Sequence, residues 1–542
     1  MKQQVDFIGY NGVIYTVDST FTKAEAFAVK DGKFVAVGTT ADILGNYQVQ
    51  DAEKHPDNYV DFKGGSVYPG LNDSHCHLFE MGKGLLNVDL RRATSFEQIL
   101  ERLQKAYEEN PNRSFLVGDG WDQNLWPVKE FPSNEKLNEL FPAVPVVLSR
   151  IDFHAVVAND AAINKLGLTV DDFLVSGKYN PGEAIIKNGK FTGVFMENMC
   201  TVFKNEIAVY RSSDVKDILL AAQAECFKYG LTSISDAEEE TLQLELMDSL
   251  VNAGKLTLKV DAWLSAVPGN FKKYTKPYFN KNLKINTLKL YRDGALGSRG
   301  ATLLEPYSDD PQNTGIDACT MEQYKKYCQW AYDHGFKVAT HCIGDKANRE
   351  ALDVYGEFYR LAQKSAPNGE KPQLNWRIEH SQIIHPQDMS AFQQYSIIPS
   401  VQPTHCTSDM LWADERLGER IKDAYRYKTL LGQLGWMPSG TDFPIEQVNP
   451  IYTFFAAVYR KNLDFIPDNG FQTNEALTKE EALRTMTIWG AKATAEEHEK
   501  GSIEPGKAAD FITTDRDFMS VPEKQVVDTK VTATYLNGAK AY

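Results

Sequence analysis

The sequence predicts a parallel α/β barrel inserted into a small β domain that both chain ends build. Three observations carry that expectation. From Val67 onward, strand-like apolar runs alternate with amphipathic helical segments over roughly 400 residues, and eight or so repeats favour a closed barrel. Both ends of the chain read instead as short strands joined by tight turns, and neither end alone makes a stable sheet. No Gly-x-Gly-x-x-Gly follows an early strand, so the mark of a doubly wound dinucleotide-binding sheet is missing, although an open sheet stays an alternative.

Residues 1–66 alternate in hydrophobicity over Asp6 to Val17, Ala24 to Val29, Phe34 to Val37 and Tyr59 to Phe62. Asp31-Gly32 between two such runs signals a hairpin. Residues 499–542 supply the expected partners: Ala509 to Thr514, Val531 to Leu536, the Asn537-Gly538 turn and Ala539 to Tyr542. Chain ends often lie close together. Residues 67–498 then form the barrel. Its candidate strands include Phe115-Leu116-Val117, Val144 to Leu148, Ser233 to Asp236, Leu258-Lys259-Val260, Ile285 to Tyr291, Phe336 to Ala339, Trp376 to Glu379, Ile397 to Val401 and Met437-Pro438-Ser439. Phe96 to Glu108, Val215 to Tyr229, Glu322 to His334 and Lys346 to Ala362 read as helices between them. A loop-rich, aromatic stretch at about 105–205, holding Trp121 and His154, breaks that rhythm and reads as a lid or specificity insert, or as structural padding.

Composition narrows the function. The 542 residues carry 42% hydrophobic and 24% charged side chains and a formal net charge of -15, which suits a soluble globular protein and argues against nucleic acid or an anionic membrane as partner. Seven scattered cysteines without a Cys-x-x-Cys fit a reducing compartment rather than a disulfide framework or zinc ribbon. The N-terminus lacks the apolar core of a signal peptide and no run is long enough to span a membrane. The expectation is a cytoplasmic protein that acts on a small molecule, with a homo-oligomer left open.

Among ten histidines, five stand out. In the stretch Pro69-Gly70-Leu71-Asn72-Asp73-Ser74-His75-Cys76-His77, an extended chain points His75 and His77 to one side and Cys76 to the other. Two imidazoles aimed at one point are half a metal site, or else two satisfied surface histidines. His341 and His380 each end an apolar strand, and barrel strand ends meet on one face. His154 follows a strand inside the insert and is expected to touch substrate rather than metal. His55, His334, His385, His405 and His498 read as surface or capping residues. For the carboxylate that accepts a proton, Asp442 in Ser439-Gly440-Thr441-Asp442-Phe443-Pro444 is the leading candidate, since small residues before it allow close backbone approach. Asp293 in Arg292-Asp293-Gly294 and Glu379 are weaker ones. Lys289 interrupts an apolar strand; it is either an edge lysine with its head in solvent or a buried amine able to form a carbamate.

These stretches, with Lys289-Leu290-Tyr291-Arg292-Asp293-Gly294-Ala295-Leu296-Gly297-Ser298-Arg299, His341-Cys342-Ile343-Gly344-Asp345 and Gly501-Ser502-Ile503-Glu504-Pro505-Gly506-Lys507-Ala508-Ala509-Asp510-Phe511, resemble the amidohydrolase superfamily, and within it the group similar to YtcJ-like proteins and N-substituted formamide deformylases. The resemblance implies a (β/α)8 TIM-like barrel with a small β-sandwich from both termini. It also implies one or two divalent metal ions, zinc being expected. His75 and His77 with Asp442 would hold one ion, His341 with His380 the other, and a carboxylated Lys289 would bridge them. A metal-bound hydroxide would then attack a carbon–nitrogen bond of an amide or N-substituted formamide, with Asp442 carrying the proton. Esters, lactones or cyclic amides are the alternative substrates, and a silent binding relative is the non-enzymatic one. Trp121, His154, Asp293 and Arg292 are the expected substrate contacts; the charge of Arg292 means that it either lies outside the pocket or meets an anionic substrate group.

Overall fold

The computed structural model describes residues 2–50, 56–111, 113–152, 154–207, 210–366 and 370–542, so His55 lies outside the described residues. The chain divides into two compact units, one of Met1–Leu78 with Gln223–Tyr542 and one of Phe79–Ala222.

In the first unit seven strands pair in parallel in chain order: β1 (Leu71–Cys76), β2 (Leu231–Glu239), β3 (Lys259–Ser265), β4 (Leu283–Tyr291), β5 (Lys337–Cys342), β6 (Arg377–His380) and β7 (Ile398–Ser400). They are buried on both faces, as parallel strands covered by helices are, and β1 and β6 carry polar side chains inside that burial. The segment 437–443 takes the eighth place. Val401 pairs in parallel with Ser439 on one side, while Ser74 N–H donates to Ser439 O at 3.2 Å and Asp442 N–H to His75 O at 2.8 Å on the other. The ring therefore closes, and the barrel that the alternation predicted is present.

Helices α1 (Met321–His334) and α2 (Asp345–Ser365) cover β4 to β6 from outside. Thr320 caps α1 by accepting from Gln323 N–H, and Gly335 ends it in a left-handed conformation at φ 76°, where a Cβ is disfavoured.

The chain ends build the sandwich. Strand Phe511–Thr514 pairs antiparallel with Ser66–Pro69, which also pairs with Val13–Tyr15, so N- and C-terminal segments share one six-stranded sheet. A four-stranded sheet of Lys33–Gly38, Ala26–Lys30, Phe7–Tyr10 and Tyr59–Asp61 faces it, and Phe7, Phe27, Phe34, Phe511 and Tyr535 fill the space between. Phe511 stacks on Tyr535 at 4.3 Å between ring centroids and meets Phe27 at 4.8 Å. Both predicted turns have positive φ at each central residue, 51° and 74° for Asp31-Gly32 and 48° and 77° for Asn537-Gly538, the geometry that suits the strand twist.

The second unit is a six-stranded sheet in the order Val88–Asp89, Leu116–Trp121, Val146–Arg150, Ala155–Ala158, Lys190–Met196, Ala184–Lys187. Alternate residues feed two cores: Val146, Leu148 and Val157 enter one, Val147, Val156 and Phe195 the other. Two runs that read as barrel strands, Phe115-Leu116-Val117 and Val144 to Leu148, belong here instead. Their parallel pairing and apolar character mimic a barrel strand, and only the pairing partner tells them apart. Among the described residues no helix is long and apolar enough to cross a membrane.

Because Phe511 joins the two sheets, Phe511→Ala should cost about 3–5 kcal/mol through the cavity it leaves. Urea unfolding followed by circular dichroism measures this, and an unchanged midpoint would contradict a sandwich core built from both termini.

Candidate metal centre

The end of β1 is tied to the eighth barrel position by Asp73. Its carboxylate accepts from His75 N–H at 3.1 Å, from Thr441 N–H at 3.1 Å and from the Thr441 hydroxyl at 2.7 Å. Gly440 makes the approach possible, since a Cβ there would lie 2.5 Å from His75 N. The result places Asp442, in a left-handed conformation at φ 60°, beside both imidazoles of β1. Its Oδ1 is 3.6 Å from His75 Nε2 and 3.1 Å from His77 Nε2. Asp73, His75 and His77 thus share one side of the strand, as the two-residue period requires.

Neighbouring strands bring the other donors. Lys289 on β4 is buried, and its Nζ lies 3.1 Å from His75 Nε2. His341 ends β5 with its Nε2 3.5 Å from Gly294 O, and its ring centroid is 4.4 Å from that of His380 at the end of β6. One donor atom each from His75, His380 and Asp442 lies within 4.8 Å of the others. His380 Nδ1 and Asp442 Oδ1 are buried without a hydrogen-bond partner. A buried imidazole nitrogen and carboxylate oxygen left unpaired are costly, and a divalent cation satisfies both, so the donor set fits a metal ion.

The protonation states agree. Burial and the nearby Lys289 hold His75 down at about 4 and His341 at about 3, and burial keeps His380 well below its usual range. Burial opposes the charge on Asp442, yet His75, His405 and His77 keep it well below the ordinary carboxylate range. Burial also lowers Lys289. At neutral pH His75, His341 and His380 are therefore neutral imidazoles and Asp442 is an ionised carboxylate, the forms that bind metal.

Glu379 aims His75. Its Oε2 is 2.6 Å from His75 Nδ1, which directs Nε2 to the centre. Arg377 Nε in turn donates to Glu379 Oε1 at 2.6 Å, and its Nη2 reaches Ser74 O at 2.8 Å and Ser400 Oγ at 2.7 Å. Burial would raise the Glu379 carboxyl, but Arg377 and His75 hold it at about 2.

The remaining expected contacts each have partners of their own. Arg292 turns to the outside of β4, where it donates to Cys319 O at 2.8 Å, pairs with Glu350 on α2 and sits over the Tyr324 ring; of its two expected places, it takes the one outside the pocket. Asp293 accepts from the N–H groups of Thr302, Ile343 and Gly344 at 3.0, 3.0 and 2.7 Å, and burial still pushes it up to about 7. Its Oδ1 is 3.7 Å from His341 Nε2. In the second unit Trp121 is a core residue whose Nε1 donates to Leu148 O at 2.7 Å, and exposed His154 sits 3.0 Å from Glu197, which raises its pKa.

His405 corrects the sequence reading. It was expected at the surface or in a cap, yet it is largely buried, with Nε2 3.3 Å from Asp442 Oδ2, close but off the line of a hydrogen bond. Burial disfavours its proton, but Asp442 raises its pKa overall. The missed signal was position: His405 lies one turn beyond β7, where barrel strands deliver functional side chains.

Residues 58–542 match a family described as "Amidohydrolase family". YtcJ of Bacillus subtilis (strain 168) is 28% identical over 553 residues, covering 99% of this chain and 99% of that protein. The N-substituted formamide deformylase of Arthrobacter pascens is 23% identical over 570 residues, covering 100% and 99%. The solved structure of an uncharacterized metal-dependent hydrolase from Pyrococcus horikoshii OT3 is similar with a TM-score of 0.75 at 30% identity, covering 95% of this chain and 98% of that one.

If Glu379 aims His75 at a metal, Glu379→Gln should weaken metal binding about 10- to 100-fold while the circular dichroism spectrum stays unchanged. Chelator competition measures the affinity, and wild-type binding would remove Glu379 from that role.

Proposed function

The chain belongs to the amidohydrolase family, and from that premise we propose that it hydrolyses a carbon–nitrogen bond in an amide or N-substituted formamide. At the coarser level it is a metal-dependent hydrolase of the amidohydrolase superfamily. The observation that carries the reading is the convergence of His75, His380 and Asp442, with two buried donor atoms left unpaired.

When bound by His75, His77, His380 and Asp442, with His341 and Lys289 beside them, a divalent ion such as zinc supplies Lewis acidity that polarises a carbonyl and makes water acidic near neutral pH. The chain's own residues do the rest. Glu379 holds His75 in one tautomer. Lys289, whose ammonium burial disfavours, is able as a neutral amine to add carbon dioxide and join the ligands as a carbamate. Asp442 is ionised between the β1 imidazoles and His405, ready to accept a proton from the attacking water and return it to the leaving nitrogen. That return is required because an amine leaves poorly as an anion.

The similarity to a named N-substituted formamide deformylase supports a nitrogen leaving group. The second unit enters the chain directly after Leu78, and this reading gives it the choice of substrate, as an insert after a barrel strand. The seven free cysteines suit a reducing compartment, and a cytoplasmic location belongs to the same reading.

A panel of N-formyl and N-acyl amines beside matched esters and lactones, with metal content measured on the same sample, should show turnover of the amides; turnover of esters alone would overturn the carbon–nitrogen assignment. Asp442→Asn should lower kcat about 10²- to 10⁴-fold with the fold intact, and a wild-type rate would exclude it from proton transfer.

A further inference from the structure

Ser400 and Gln402 lie two residues apart where β7 ends, and Gln402 keeps extended angles of φ -122° and ψ 90°, so both side chains leave the chain on one face. Ser400 shows which face it is. Its Oγ accepts from Arg377 Nη2, inside the barrel where Arg377 lies 4.8 Å over the Trp263 ring. Gln402 therefore projects inward one step nearer the C-terminal rim, at the level of the metal donors. His405, on the same turn, has its ring centroid 5.6 Å from that of His380.

Gln402 is only 2% exposed, and neither its Oε1 nor its Nε2 has a hydrogen-bond partner. Among the described residues no other buried side chain has two polar atoms left in this way. Thr404 Oγ1, on the same turn, is buried and unpartnered too. The metal reading does not use either residue. A buried carboxamide without partners is unfavourable, so this one is suited to groups that arrive with a ligand. It offers an acceptor and a donor side by side, and it is satisfied by a partner that brings one of each. An amide whose N–H and C=O lie on the same side, as in a primary amide, a lactam or a cis secondary amide, does so; an ester or lactone brings acceptors alone and would leave Oε1 unpaired.

We propose that Gln402 reads the amide group of the substrate: Oε1 accepts the substrate N–H and Nε2 donates to a substrate carbonyl oxygen. This rests on the carbon–nitrogen reading above and narrows it, because Gln402 becomes the residue that selects amides against esters and lactones. Sites that hydrogen-bond a substrate N–H discriminate strongly against analogues lacking it.

The test uses the metal-loaded protein and Gln402→Met, which keeps the length of the side chain and removes both polar atoms. Saturation-transfer NMR with acetamide and methyl acetate should show preference for the amide in the wild type and its loss in the variant. For a matched amide and ester substrate, the ratio of kcat/KM values should fall about 10- to 100-fold in the variant. Equal losses for both substrates, a loss of bound metal, or an amide preference that survives the substitution would each overturn the proposal. The binding preference is read without turnover, so a protein that binds the amide through Gln402 but cleaves none would refute the hydrolytic reading and leave this one standing.

Discussion

The hydrogen bond between His75 Nδ1 and Glu379 Oε2, inside the barrel, sets the terms for the rest of the first unit. It places a carboxylate where water cannot solvate it, so Arg377 must neutralise it, and Arg377 in turn needs acceptors on β1 and β7, which it finds at Ser74 O and Ser400 Oγ. Three strands are cross-linked as a consequence. Breaking a buried pair of this kind typically costs about 3–5 kcal/mol because the survivor is left charged and alone. The barrel interior is therefore a stack with polar bracing beneath and metal donors above, and the bracing aims the donors.

Closure of the ring is the second requirement. The eighth position is not a long strand but a short segment held by Asp73, Thr441 and the missing side chain of Gly440. That economy puts Asp442 on a tight bend, with Oδ1 facing His75 and His77 and Oδ2 facing His405. Imidazoles therefore stand within 3.6 Å of both edges of the carboxylate, while Oδ1 keeps no hydrogen-bond partner of its own. Against the burial of both groups, His75 leads in lowering the pKa of Asp442, with His405 and His77 adding to it, and Asp442 in turn raises that of His405.

Much of the site was legible because its information is local. The His75-x-His77 spacing, the histidines at the ends of β5 and β6, and the small residues before Asp442 each depend on strand periodicity, which a sequence displays directly. The two turn dipeptides were equally plain, since positive φ at consecutive positions leaves few residue choices. His405 was not legible, because a histidine within a helical turn after a proline looks the same whether the turn faces solvent or a metal centre. Phe115-Leu116-Val117 and Val144 to Leu148 were assigned to the wrong sheet for a similar reason. Apolar runs state that a strand is buried, not which strand it pairs with.

By itself, then, the sequence determined the class of fold, the donor types and the face of the barrel on which they gather, because alternation, turn chemistry and strand-end position are properties of short segments. Only the tertiary structure decided which donors converge, that Arg292 faces outward to Glu350, and that Glu379, Arg377 and His405 stand around the centre. Those assignments depend on register between strands hundreds of residues apart, and register is set by packing around the whole ring rather than by any one stretch of chain.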